Sequence, residues 1–430
     1  MLVSLLIMAI FASLIFVGRF IQLLLEHPSA TIKASRQETL KVCIVLGSGG
    51  HTSEMINTLR VLPAQTWKAS KTFDVVYVVS ATDKDSSAVA TRFEKEHGDR
   101  DARILRIPRA REVGQSYLTS VWSTLRALYV CLSYMWTEHP DVIITNGPGV
   151  CIPVVGASLL IAAVCCHPRP LIAYFESFTC VDHLSMSGTL LLPIADVFTV
   201  QWKSLFDIVK AKRFQLKSIA GRLWFTGPIG NHNAAGQDAK DNAKNARDNT
   251  RNSGVALITV GSTKFDDLMS QVDTPQFFEA VKRQGITKVL VQKGRSDYTF
   301  TTPTFSDPAT DAGLVGSYDG VDVEVFPYRP FLQDILRSAQ LVISHAGAGT
   351  ILEALAHGRS MVVVPNEKLM SNHQLQLARS LAEEKFLFLV MVRDLCEALP
   401  RLPVDDLIPF PPPNEPAIME TFRRIFRRSF

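Results

Sequence analysis

The chain has 430 residues, 47% of them hydrophobic and 20% charged, with a formal net charge of +4. That length holds two ordinary domains plus extra segments, and so small a charge speaks against nucleic acid as a partner. Seven cysteines, with no CxxC pair and with Cys165 and Cys166 adjacent, argue against a disulfide framework or a zinc cluster and for a reducing compartment.

Met1 to Leu25 is apolar with a single charge, Arg19. About 20 such residues span a bilayer as a helix, so this stretch (1–25) reads as a membrane anchor. A cleaved signal peptide is the competing reading, but there is no basic n-region and no small-x-small site before Glu26-His27-Pro28. Lys33, Arg36 and Lys41 follow, and the positive-inside bias places everything downstream in the cytosol. No Asn-x-Ser/Thr acceptor occurs in the chain, in keeping with that side.

The first globular domain is expected over 40–230. Lys41 to Leu46 (KVCIVL) reads as a buried strand running into Gly47-Ser48-Gly49-Gly50-His51, with a helix from near Thr52. Further strands are expected at Val75–Val79, Ile104–Ile107, Asp141–Thr145, Leu171–Tyr174 and Asp196–Val200. Leu118, Val121, Trp122, Leu125, Leu128, Tyr129 and Leu132 recur at helical spacing; a core face is the default reading and a membrane-surface face the alternative. Cys151 to Cys166 is an uncharged apolar run, short for a span, and reads as a buried helix or one lying against the bilayer. Strands alternating with helices imply a parallel, doubly wound sheet with ligands at the carboxyl ends of its strands. Gly47 to His51, Asn146-Gly147-Pro148-Gly149 and Glu176-Ser177 are then expected on one sheet edge.

Asn231 to Ser253 holds no apolar residue larger than alanine and reads as a flexible linker. A second α/β domain is expected over 254–410. It opens with the strand Val255–Val260 and the turn Gly261-Ser262-Thr263, and continues with Lys288–Val291 before Gln292-Lys293-Gly294. Thr301 to Gly320 reads as a polar surface insertion and Val321–Phe326 as a strand.

The fullest signal lies between Leu341 and Asn366: a strand, the small-residue turn Ala346-Gly347-Ala348-Gly349, a helix over Thr350–His357, and a strand from Met361. Such a turn lets a phosphate approach the N–H groups at the positive end of a helix. Glu353, one turn in, is placed to accept hydrogen bonds from a ribose diol, although Thr350-x-x-Glu353 also fits a capping box. Asn372, His373 and Gln374 fall at the start of a later helix near the same edge. The tail 414–430 reads as an amphipathic helix, apolar at Ile418, Phe422, Ile425 and Phe426 and basic at Arg423, Arg424, Arg427 and Arg428. It suits packing onto the first domain as well as an anionic membrane surface.

Two doubly wound domains with phosphate-ready glycine turns describe an enzyme for nucleotide-linked substrates. No metal-binding DxD or HxxE-type cluster is evident, so neither a metal nor a cofactor is expected. Charge on a departing pyrophosphate is then left to N–H groups and helix dipoles, the chemistry of metal-independent glycosyl transfer.

LGSGGHTSEM at Leu46–Met55, NGPG at Asn146–Gly149 and YFESF at Tyr174–Phe178 resemble the membrane-anchored subunit of the eukaryotic dolichol-pathway UDP-N-acetylglucosamine transferase. TVGSTKFDDL at Thr259–Leu268, QKG at Gln292–Gly294 and the run from ISHAGAGTILEAL to LMSNHQLQLA resemble its catalytic subunit. The order is also similar to the bacterial enzyme that adds GlcNAc to a lipid-linked muropeptide precursor. The departure is that two usually separate subunits share one chain.

The resemblance implies a GT-B fold and inverting, β-1,4 transfer of GlcNAc from UDP-GlcNAc to dolichyl-diphosphate-GlcNAc at the cytosolic face of the endoplasmic reticulum membrane. Other enzymes of lipid-linked oligosaccharide assembly are then candidate partners. It also implies that Gly347, Gly349 and Thr350 hold the donor diphosphate, with Gly261, Ser262 and Thr263 opposite, Glu353 on the ribose, and Asn372, His373 and Gln374 on the sugar. His345 would cap the donor site or fill space. Gly47, Ser48, Gly49, Gly50, Asn146 and Gly147 would face the acceptor. The attacking hydroxyl needs a general base, with His51 as first candidate and Glu176 as second. The competing functions are transfer to another lipid acceptor, a UDP-GlcNAc 2-epimerase-like isomerase, and a tethered scaffold without catalysis.

Overall fold

The computed structural model describes residues 14, 16–24, 39–68, 73–110, 117–147, 149–165, 167–212, 221–229, 253–306, 313–329, 332–367 and 373–426. They form two compact units: Met1–Ile229 with Asn414–Phe430, and Gly230–Pro413.

The first unit holds a seven-stranded sheet of β1 (Leu40–Val45), β2 (Phe73–Ser80), β3 (Arg103–Ile107), β4 (Val142–Asn146), β5 (Leu171–Phe175), β6 (Val197–Val200) and β7 (Leu223–Phe225). Their order is β3-β2-β1-β4-β5-β6-β7, and each neighbouring pair is parallel. β1, β2, β4, β5 and β6 are almost wholly apolar and buried because helices cover both faces of the sheet. The strand order reverses direction between β1 and β4, where Val42 pairs with Val142. Crevices at such switch points are where open α/β sheets bind ligands.

Among the helices of this unit are α1 (Gly50–Arg60), α2 (Lys84–Phe93), α3 (Tyr117–Glu138), α4 (Cys151–Val164), α5 (Met186–Leu191) and α6 (Lys203–Lys212). Val42 and Ile44 join Met55, Ile56 and Leu59 of α1 in one core, while Cys43, on the opposite side of the strand, lies beside Cys131 of α3. α3 and α4 pack closely. The apolar stripe expected on α3 is not its core face. Val121, Trp122, Leu125 and Tyr129 stand exposed, as does Trp136, and Leu128 and Leu132 are only half-buried; the buried residues are Ala127, Cys131 and Met135 on another side of the helix.

Of the expected N-terminal span, residues 1–13, 15 and 25 lie outside the described residues. Residues 16–24 are helical and dock by Leu23, flanked by Phe16 and Phe20, on Ala162 and Ala163 of α4. Arg169 fixes this seat, donating to the Leu23 carbonyl at 3.0 Å while paired with Asp196 at 2.7 Å. Among the described residues no helix is long and apolar enough to cross a membrane. The linker expected at 231–253 lies outside them too, apart from Ser253.

The second sheet comprises β8 (Val255–Thr259), β9 (Lys288–Gln292), β10 (Thr304–Phe305), β11 (Leu314–Tyr318), β12 (Val321–Phe326), β13 (Leu341–His345), β14 (Ser360–Val364) and β15 (Phe388–Leu389). Its order is β10-β11-β12-β9-β8-β13-β14-β15, parallel from β12 to β15 and antiparallel over β10, β11 and β12. The polar insertion expected at 301–320 is thus, in its described part, a sheet extension. β11 reads as a loop in sequence because its Gly316 and Ser317 carry no strand signal, yet pairing with β12 supplies the backbone hydrogen bonds that a lone strand lacks. The helices are α7 (Asp266–Val272), α8 (Pro275–Arg283), α9 (Gln333–Ser338), α10 (Ala348–Ala356) and α11 (His373–Glu383).

The final helix, α12 (Glu415–Phe426), returns to the first unit. Ile418, Phe422, Ile425 and Phe426 enter the core with Leu40, Phe73 and Phe175, and Arg424 stacks on Trp224 with its guanidinium carbon 3.9 Å from the ring centroid. The apolar face that suits a membrane is therefore spent on packing.

Candidate functional site

At the switch point of the first sheet, β1 ends in a turn with Gly47 buried and Ser48 and Gly49 exposed. Gly49 adopts φ 63°, which favours glycine, and is the N-cap of α1 without any side-chain cap. The uncapped first turn leaves N–H groups available to an anion. Behind the turn, Thr52 Oγ1 donates to the Gly47 carbonyl, and Ser86 Oγ bonds both that carbonyl (3.2 Å) and Asp83 (2.6 Å). β4 delivers Asn146 and Gly147 beside it. Asn146 Nδ2 donates to the His51 carbonyl at 2.6 Å, and a Cβ on Gly147 would sit 2.7 Å from His51 Cε1. The ring therefore lies flush on glycine backbone. Burial pushes the His51 imidazole down to about 4, and its Nδ1 has no hydrogen-bond partner.

Glu176 follows β5 and is 1% exposed. Its carboxylate accepts from Ser177 N (3.0 Å), Tyr174 OH (3.3 Å), and Ser185 N and Oγ (both 3.1 Å). Burial raises its pKa and these bonds oppose the rise. A Cβ on Gly188 would collide with it. Asp182 and His183, further along the loop, pair with each other at 2.6 Å on the surface.

The second sheet repeats the arrangement. Gly261, Ser262 and Thr263 follow β8, and His345 ends β13, the neighbouring strand across the reversal of order. The buried His345 ring is wedged between two glycines: a Cβ on Gly261 would come 3.0 Å from its Cε1, and one on Gly347 would overlap Nε2. Burial lowers its pKa to about 4, opposed by a backbone hydrogen bond at Thr259. Gly294, at φ 60°, packs against the Gly261 carbonyl, while Gln292 links Thr259 Oγ1 (2.9 Å) to Arg329 N (2.7 Å). Gly347 caps α10 with no side-chain bond, so Thr350 lies inside the helix and the capping-box reading of Thr350 and Glu353 fails. Glu353 lies further along α10; burial raises its pKa and a hydrogen bond from Gln333 lowers it. Asn372 lies outside the described residues; His373 and Gln374 open α11.

The DxD and HxxE spacings do occur in the sequence, although the expectation concerned a metal-binding cluster of those types. Asp83-Lys84-Asp85 and Asp99-Arg100-Asp101 have the first spacing, but Asp83 caps α2 by accepting from Ser86 N at 3.0 Å and Asp99 closes the turn Glu94–Gly98 at φ 56°. His51-Thr52-Ser53-Glu54 has the second, and Glu54 is the residue that sequence reasoning missed. It is 6% exposed, one turn beyond His51, and accepts from Ser177 Oγ at 3.1 Å. The i, i+3 spacing on a helix opening is the signal that was available. Among the described residues no group of three His, Cys, Asp or Glu is arranged to hold a metal.

Residues 42–218 match the family described as oligosaccharide biosynthesis protein Alg14 like, and residues 255–405 match the glycosyltransferase family 28 C-terminal domain. The Candida albicans UDP-N-acetylglucosamine transferase subunit ALG14 is 37% identical over 194 residues, 44% of this chain and 84% of that one. The chain belongs to the Alg14 family. Beyond its Alg14 half it carries a second glycosyltransferase half, which is similar to human UDP-N-acetylglucosamine transferase subunit ALG13: 38% identical over 142 residues, 32% of this chain and 11% of that protein. The crystal structure of Acinetobacter baumannii MurG has a TM-score of 0.54 at 16% identity, covering 91% of this chain and 95% of that one. At that identity the likeness speaks for the fold alone, a GT-B-like pair of Rossmann-like sheets.

Proposed function

We propose that this chain is an inverting UDP-N-acetylglucosamine transferase that moves GlcNAc from UDP-GlcNAc to dolichyl-diphosphate-GlcNAc, forming a β-1,4 linkage and releasing UDP. The observation that carries the reading is the repeated one: in each sheet, an uncapped helix start and a histidine packed on glycine stand at the switch point, in a chain joining an Alg14 half to a family 28 half.

The donor binds the second unit, its diphosphate against the backbone N–H groups around Gly347, Gly349 and Thr350, with Gly261, Ser262 and Thr263 beside them. Glu353 takes the ribose hydroxyls, and Asn372, His373 and Gln374 the sugar. The acceptor diphosphate lies at Gly47–Gly50, with Asn146 and Gly147 on its flank. As the acceptor hydroxyl attacks the anomeric carbon, its proton passes to His51, the bond to the UDP β-phosphate breaks, and the electron pair leaves with UDP. The N–H groups and positive end of α10 stabilise that charge. A neutral His51 is free to accept a proton, and the acceptor's own diphosphate raises its basicity from the low value that burial imposes. Glu176, enclosed and already holding several donors, suits anchoring its loop better than proton transfer, so the base role goes to His51.

The cytosolic face of the endoplasmic reticulum membrane is the setting this reading requires. The outward face of α3 supports contact with a bilayer: Trp122 and Tyr129 are each 78% exposed, Trp136 is 56% exposed, and amphipathic rings of this kind favour the headgroup level.

The test is transfer by the purified protein from UDP-GlcNAc to a synthetic phytanyl- or dolichyl-diphosphate-GlcNAc, in the presence of EDTA. Product that disappears in Glu353→Ala supports both the donor site and metal independence. No product with UDP-GlcNAc still bound rejects this acceptor and leaves the donor half; no binding at all sinks the proposal.

A further inference from the structure

We propose that Glu54 is a positioning residue of the acceptor side, a protonated pin that holds the opening of α1, and with it His51, against the loop after β5. The inference rests on the reading of His51 given above. Ser177 stands between two enclosed carboxyls, giving its N–H to Glu176 at 3.0 Å and its hydroxyl to Glu54 at 3.1 Å. Two carboxyls held by one serine, each this poorly hydrated, resist ionising together. The hydrogen-bond inventory decides which keeps the proton. Glu176 accepts from Ser177 N, Tyr174 OH, Ser185 N and Oγ, and the Cys180 thiol, whereas Glu54 accepts from Ser177 Oγ and the Phe178 backbone. Glu176 is therefore the carboxylate and Glu54 the acid. Burial pushes Glu54 up to about 8, the bonds to Ser177 and Phe178 lower it, and the neighbouring Glu176 adds to the rise.

The other titratable groups around Glu54 leave this assignment intact. Cys180, in the same loop, is a buried thiol pushed up by burial, by its hydrogen bond to Glu176 and by the nearby Glu54, and His51, one turn back on α1, is held low by burial. Loss of the Glu54 proton puts two negative charges across Ser177 and drives α1 from the β5 loop. His51 shares that first turn, so its ring leaves the Gly147 backbone it lies on.

The experiment has two arms. The first is the infrared carboxylic-acid carbonyl band of the full chain, wild type minus Glu54→Gln, followed across neutral and alkaline pH. The expected result is a band that fades with a midpoint near 8; absence of the band at neutral pH overturns the proposal. The second is the pH profile of kcat with UDP-GlcNAc and phytanyl-diphosphate-GlcNAc. Glu54→Ala is expected to lose about tenfold to a hundredfold in kcat with the KM for UDP-GlcNAc unmoved, as for a displaced catalytic group. Glu54→Gln, which keeps the shape of the acid without its charge, is expected to rescue that loss and to lack the alkaline fall. Equal losses in the two variants overturn the proposal. If wild type transfers nothing, the assigned reaction fails, and the infrared arm still decides the state of Glu54.

Discussion

His51 lies on Gly147, and His345 lies between Gly261 and Gly347. In each unit an imidazole packs where a glycine Cβ would stand, so the absence of a side chain is what lets the ring fit. Gly147→Ala places a methyl carbon on the His51 ring and is expected to cut transfer about a hundredfold while UDP-GlcNAc affinity, read by calorimetry, stays within about twofold. Gly347→Ala is expected to have the opposite signature: the ring it meets is buried against the turns proposed to hold the donor, so UDP-GlcNAc binding should be lost.

Protonation supplies a second residue-scale expectation. His51, His345 and His357 are each lowered to about 4, with burial the leading cause. Unfolded histidines take up protons near pH 6.5. Between those values the unfolded chain therefore binds more protons than the folded one, and stability falls as pH drops through that window. The thermal midpoint should decline from pH 7 to pH 5, less steeply in His357→Gln. Glu54 acts in the opposite sense, since its raised pKa costs stability as pH rises towards 8.

Two helices show how an amphipathic pattern leaves its destination open. Val121, Trp122, Leu125, Tyr129 and Trp136 occupy a stripe of about 100° on α3, and Trp122, Tyr129 and Trp136, spaced by seven residues, form a row roughly 20 Å long parallel to the helix axis. A row along the axis suits a helix lying in the plane of the membrane interface rather than one crossing it. In protein lacking residues 1–25, replacing these three aromatics by Ser should abolish sedimentation with anionic liposomes without altering the circular dichroism; retained sedimentation rejects α3 as the contact. α12 is the reverse case, since its apolar face is consumed by Phe73 and Phe175. Phe422→Ala removes a fully buried ring and should cost about 3–5 kcal/mol of stability, read by denaturant unfolding.

At the scale of the whole molecule, the chain leaves the first unit after Ile229 and re-enters it at Asn414. The Alg14 half is therefore not complete at the linker. Residues 1–229 alone expose the apolar surface that Ile418, Phe422, Ile425 and Phe426 cover and should aggregate. Co-expression with residues 253–430 should restore soluble protein, and should fail when the second fragment stops at Pro413. Soluble, folded 1–229 would show that α12 is dispensable.

Local pattern sufficed for the long buried parallel strands and the glycine turns that follow them, but not for the short strands β7, β10, β11 and β15. A buried parallel strand must be a continuous apolar run, and a turn pressed against a neighbouring ring must be glycine; both requirements are written in consecutive residues. Tertiary structure alone decided the rest. β11 became a strand through pairing with β12, the packing of α4 left the apolar stripe of α3 facing outward and buried Ala127, Cys131 and Met135 instead, and α12 was drawn to the first unit by the apolar surface waiting there. Glu54 shows the limit most sharply. Its state depends on Ser177 and Glu176, more than a hundred residues away in sequence, and no local pattern reports that a serine will bring two carboxyls together out of reach of water.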